Sequence, residues 1–164
     1  MTKPYTGTSD GVADGKRLGT ERFMELCVRR WKFANLGTWV VRDIKGKPGS
    51  LSVHATARAV DISYGTNKTA AIEAMNWFVK YQIELGIEEV HDYSGLTKKG
   101  TETWGRGWRC NRNGKPGWKD WTATDNGGSQ KATWIHCELA PQFADLDGEA
   151  YEIVWRSVPK PVKN

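Results

Sequence analysis

The sequence has no run of about 18 consecutive apolar residues, the least a membrane-spanning helix needs. Its first residues, MTKPYTGTSDGVADGK, hold no apolar core, so no classical secretory signal is expected. Cysteine is scarce: Cys27, Cys110 and Cys137 are an odd number without CxxC spacing, which predicts reduced thiols in a protein folded in a cytosol. Histidine is equally scarce, and no internal repeat is visible. Acidic residues are in deficit, 19 against 24 Lys and Arg, giving a net charge of +5 and a mild preference for polyanions. What is present fits one ordinary domain. The 164 residues are 38% hydrophobic and 26% charged, which argues against disorder, and nine tryptophans suit a core, a ligand groove or both.

Residues 1–19 are rich in Gly, Thr, Ser and Asp and read as a flexible arm. Residues 20–158 read as the domain, and 159–164 as a frayed tail. Within the domain, 20–34 is a helix capped by Thr20, with Phe23, Leu26, Cys27, Arg30 and Trp31 on one face. Residues 38–44 (TWVVRDI) and 58–64 (RAVDISY) read as strands joined by the turn-rich KGKPGS. Thr66 or Asn67 opens a second helix of roughly 17–19 residues, with Ala71, Ile72, Met75, Phe78, Val79 and Ile83 buried and Gly86 ending it. Residues 87–93 and 132–139 read as strands. On the latter, Ile135 and Cys137 share one face, and Trp134, His136 and Glu138 the other. Residues 94–131 show little periodicity, and 151–156 read as a last strand. The expected class is α+β: a mostly antiparallel sheet with two main helices on one face and a metal cleft on the other.

His54 and Asp61 lie seven residues apart in SVHATARAVD (52–61), a workable pair of metal ligands if the chain turns between them. His136, from another strand, completes a set of three. Three protein ligands plus one water is the usual open coordination of catalytic zinc, and imidazole with carboxylate suits that metal.

These residues resemble a known family. The pattern S-x-H-x-x-G-x-A-x-D followed by W-x-H-x-E is similar to that of the zinc D,D-carboxypeptidases and dipeptidases, which include phage endolysins and share a fold with the Hedgehog signalling domain. Here it matches at Ser52, His54, Ala59 and Asp61, then at Trp134, His136 and Glu138, with Ala57 in place of the family's glycine. The blocks HDYSG (91–95) and GRGWRCNRNGKPGWKDW (105–121) are similar to segments of phage-encoded members. The resemblance spans roughly residues 36–140. It implies a zinc peptidase acting on peptide stems of peptidoglycan, with His54, Asp61 and His136 as ligands and Arg42 orienting substrate. Ser52, His91, Asp92 and Trp134 would also contact substrate.

One position departs from the pattern. Family peptidases carry an acid three residues before the last histidine, as general base; here that residue is Thr133, which cannot act as a base near neutral pH. Glu138 is the nearest substitute, with Asp92 and Asp125 more distant. Glu138 has a second reading, as an outer partner that steadies His136.

Three functions follow. The first is a phage endolysin, a monomer made in the bacterial host cytoplasm and acting at the cell wall after release, with no membrane partner. The second is a module of the same fold that keeps its zinc and binds wall or partner without turnover. The third is a nucleic-acid-binding phage protein. It would use Trp104, Trp108, Trp118 and Trp121 interleaved with Lys98, Lys99, Arg106, Arg109, Arg112, Lys115 and Lys119. For that last segment the plainer reading is tryptophans folded over the core or walling a substrate groove.

Overall fold

The computed structural model describes residues 3–93, 105–122 and 132–161. Its elements are α1 (Leu18–Trp31), β1 (Ala34–Gly37), β2 (Asp43–Ile44), β3 (Lys47–Leu51), a 3-10 turn (Val53–Thr56), β4 (Ala59–Ser63), α2 (Lys68–Lys80), β5 (Ile87–Asp92), β6 (Arg106–Arg112), β7 (Lys115–Asp120), β8 (Trp134–Leu139), α3 (Pro141–Ala144) and α4 (Gly148–Ser157). Six strands form one sheet in the order β1-β4-β8-β5-β6-β7, each neighbouring pair antiparallel. β2 and β3 form a separate hairpin. The class is therefore α+β with an antiparallel sheet. No helix among the described residues is long and apolar enough to cross a membrane.

Alternation along the central strands decides what each face does. Ile135, Cys137 and Leu139 of β8, Val60 and Ile62 of β4 and Val90 of β5 are buried in the hydrophobic core. The helices close that face with aromatic rings. Phe23 lies 5.3 Å from Phe78 and 6.0 Å from Trp155, and Trp77 lies 4.7 Å from Trp155. Burying each such side chain is worth about 1.5–3 kcal/mol. The core tryptophans also spend their polar edges: Trp31 Nε1 donates to Glu73 at 2.8 Å and Trp77 Nε1 to the Pro159 carbonyl at 2.7 Å. All three cysteines are free and buried, Cys110 included.

Several local expectations are corrected. α1 begins at Leu18 after Arg17, and Thr20 is buried inside the helix rather than capping it. Gly19 there packs directly on the backbone of α3, an approach a Cβ would block. Residues 38–44 are not one strand: β1 ends at Gly37, and only Asp43–Ile44 pairs, with part of the KGKPGS connection, in the hairpin. α2 is shorter than expected, is capped by Asn67 and leaves Ile83 66% exposed beyond its end. Residues 151–156 belong to a helix, α4, capped by Asp147, whose Oδ1 accepts from Ala150 N–H at 2.7 Å. Tyr151 and Trp155 then face the core one turn apart.

The long segment read as aperiodic contains the hairpin β6–β7. Its turn is Asn113-Gly114, with φ of 55° and 89°, the pairing that favours a tight hairpin. That dipeptide was the available signal. The segment before α1 is bonded into the domain: Thr6 N–H donates to Glu88 at 3.2 Å, and Asp10 meets Arg58 at 3.0 Å.

Candidate metal centre

Three separate pieces of chain meet on the polar face of the sheet. The 3-10 turn after β3 carries His54; the Ser52 side chain accepts from the His54 N–H at 3.4 Å, fixing the turn's start. The turn closes through Ala57 at φ 54°, a left-handed conformation that favours glycine, the residue the resembling pattern has here. β4 then starts at once and brings Asp61 to the same face. In the sheet register Asp61 lies opposite His136 of β8, which lies opposite His91 of β5 on its other side.

Among the described residues, His54, Asp61 and His136 form a group that could hold a metal ion, with candidate ligand atoms within 4.8 Å of one another. Both histidines are buried and Asp61 is partly so. His136 Nδ1 lies 2.8 Å from Asp61 Oδ1, and its Nε2 lies 3.0 Å from Glu138 Oε1. His54 Nε2 is 3.2 Å from Asp61 Oδ2, yet it is buried with no hydrogen-bond partner. A buried polar nitrogen left unbonded is costly unless something else satisfies it.

The charges reinforce one another. Burial acts to raise the Asp61 carboxyl, but its contacts with His136 and His54 outweigh this and hold it well below the usual carboxylate range. Burial acts to lower His136, but the bonds to Asp61 and Glu138 win and raise it well above the ordinary histidine value. Glu138 is likewise held low: burial opposes ionisation, and the His136 bond outweighs it. An ionised carboxylate only accepts, so without metal both ring nitrogens of His136 must carry protons. A cation between Nδ1 and Asp61 would replace one of them. The donor set, two imidazoles and a carboxylate without thiolate, therefore fits zinc or a similar divalent ion.

The group lies in a cleft of about 550 Å³. Arg42, Ser52, His91, Trp134 and Glu138 line it. Asp92 does not: it is fully buried and absent from the lining, because it alternates away from Glu89 and His91 on β5. Thr133 is exposed and lies outside the lining. Asp125, Lys98, Lys99 and Trp104 lie outside the described residues. Both Glu138 oxygens are engaged, Oε1 by His136 and Oε2 by the Tyr5 hydroxyl at 2.8 Å.

The chain matches no protein-family model, no curated protein and no solved structure.

Sequence reasoning missed Tyr5, Glu89, Tyr93 and Arg109 as lining residues. The Arg109 Nε–H donates to Glu89 at 2.9 Å, and its guanidinium lies 3.9 Å from the Tyr5 ring centre. Burial and the neighbouring Glu138 charge push the Glu89 carboxyl up. His91 stacks on Tyr93 at 3.9 Å and on Trp121 at 4.9 Å, forming an aromatic wall. Two cations of the tryptophan-rich segment lie over its own rings: Arg106 sits 4.1 Å from Trp118, and Lys119 4.8 Å from Trp121. The β5–β6 register sets Glu89 opposite Arg109, and the sequence carried no clear sign of it.

Proposed function

We propose that this chain is a zinc-dependent peptidase of the D,D-carboxypeptidase and dipeptidase type, acting on peptide stems of peptidoglycan as a phage endolysin. The observation that carries the reading is the buried Nε2 of His54, left without a hydrogen bond, in one group with Asp61 and His136 whose candidate ligand atoms lie within 4.8 Å of one another. The ten-residue motif around His54 and Asp61 supports the substrate class.

His54, Asp61 and His136 would hold the zinc. Zinc in such a site supplies a water acidified to a pKa of about 7 and polarises a carbonyl oxygen. Ser52 anchors the turn that aims His54. Arg42, exposed at the cleft and bonded only weakly to the Asp43 carbonyl at 3.4 Å, is available to hold a substrate carboxylate. Trp134 and Tyr93, 5.3 Å apart, wall the other side. Glu138 holds Nε2 of His136 and so fixes which nitrogen faces Asp61.

A specific observation favours a second reading, a zinc-holding wall-binding module without turnover. Thr133 is no base, and Glu138 would have to release Tyr5 or His136 to act as one. Zymography on purified cell walls separates the two. The peptidase reading expects clearing that a chelator stops and zinc restores, and that His136→Ala abolishes. Full clearing by His136→Ala overturns it. Stoichiometric zinc with no clearing selects the binding module.

A further inference from the structure

The segment before α1 reaches the metal group through one hydroxyl. We propose that Tyr5 is a positioning residue for the metal site: by holding Glu138 it fixes His136, and so sets how tightly a divalent cation is bound. This rests on the metal reading above.

Three contacts make the connection. The Tyr5 hydroxyl donates to Glu138 Oε2 at 2.8 Å; Glu138 Oε1 accepts from His136 Nε2 at 3.0 Å; His136 Nδ1 meets Asp61 at 2.8 Å. Each Glu138 oxygen has one job, so its carboxylate cannot turn without breaking a bond. Tyr5 is itself held. Arg109 lies 3.9 Å from its ring centre and is locked on Glu89 at 2.9 Å. On either side in sequence, the Pro4 carbonyl accepts from Cys110 Sγ at 3.6 Å and Thr6 N–H donates to Glu88 at 3.2 Å. Burial and the nearby Glu138 and Glu89 charges push the Tyr5 phenol upward, so it remains a donor. Partners that orient a ligating histidine generally change metal affinity by about 10- to 100-fold.

The test is zinc affinity of the full chain, measured by competition with a chromogenic chelator. Tyr5→Phe keeps the ring under Arg109 and removes only the hydroxyl; its zinc binding should weaken about 10- to 100-fold. Thr6→Val removes the bond of the Thr6 hydroxyl to Glu88 but keeps the Thr6 N–H bond and the Tyr5–Glu138 bond, and should cost clearly less zinc affinity than Tyr5→Phe. Glu138→Gln should weaken binding too, and the double variant Tyr5→Phe/Glu138→Gln should be no weaker than Glu138→Gln alone. Unchanged affinity in Tyr5→Phe, equal loss in Thr6→Val, or additive losses in the double variant would each overturn the inference while leaving the metal site standing. A wild-type chain that binds no zinc would instead overturn the metal reading, and this inference with it.

Discussion

Arg58 and Asp61 are near neighbours in sequence, yet each centres a different buried ionic cluster. Arg58, at 0% exposure, donates to Asp10 at 3.1 Å, Glu88 at 3.4 Å and the carbonyls of Leu139 and Gly7. Its charge is answered from within the protein, by two carboxylates on different pieces of chain. The cluster around Asp61 has two carboxylates and two imidazoles, and it leaves His54 Nε2 without a hydrogen bond. The first cluster ties the N-terminal segment to the end of the sheet. The second has the surplus of acceptors that a cation would complete. Burial alone does not mark a candidate site: each cluster has one buried atom without a hydrogen bond, Glu88 Oε1 in the first and His54 Nε2 in the second, but among the described residues only the second brings two imidazoles and a carboxylate together as metal ligands.

The comparison breaks first at Arg58. Arg58→Ala leaves the buried Glu88 without its counter-ion and Asp10 with Arg17 alone, so stability to denaturant should fall by about 3–5 kcal/mol. A loss under about 1 kcal/mol would show that this cluster is not the fastening described here.

The Asp61 cluster should also answer to pH. The folded His136 value is raised, so its stabilisation of metal-free protein is full below the ordinary histidine range and is lost as pH rises through the raised value. Zinc bound as proposed would displace a ring proton of His136, so its affinity should grow over that same rise. Denaturation midpoints against pH should therefore diverge with and without zinc. Parallel curves would mean that zinc and that proton do not compete.

The smallest effect is expected at Ala57. Ala57→Gly relieves a left-handed φ of 54° but loses a buried methyl and loosens the unfolded chain. The net change in stability should stay within about 1 kcal/mol, read by thermal unfolding. A loss beyond about 2 kcal/mol would show that the methyl's packing outweighs the backbone strain.

The metal group was legible in the sequence because its chemistry is local. His54 and Asp61 share one short motif, and β8 shows its two faces by simple alternation at Ile135, His136 and Cys137. Other parts were not legible, for distinct reasons. In α4, Ile153 and Val154 imitate a strand, and the cap at Asp147 is the better signal. Residues 39–41 are apolar yet exposed, so a β-branched run there was no guide to pairing. Asp92 was misplaced because a motif block says nothing about which way each side chain turns. Tyr5 meets Glu138 across 133 residues of sequence, and no local pattern announces such a contact.

The alternation of β8 has a consequence for how errors in folding would show. Because Cys137 and His136 point to opposite sides, sliding this strand by one position against β4 would push an imidazole into the oily layer and a thiol into the cleft. A molecule threaded that way would lose its interior and its chemistry at one stroke. Assembly of the hydrophobic layer thus proofreads the candidate metal group on its reverse.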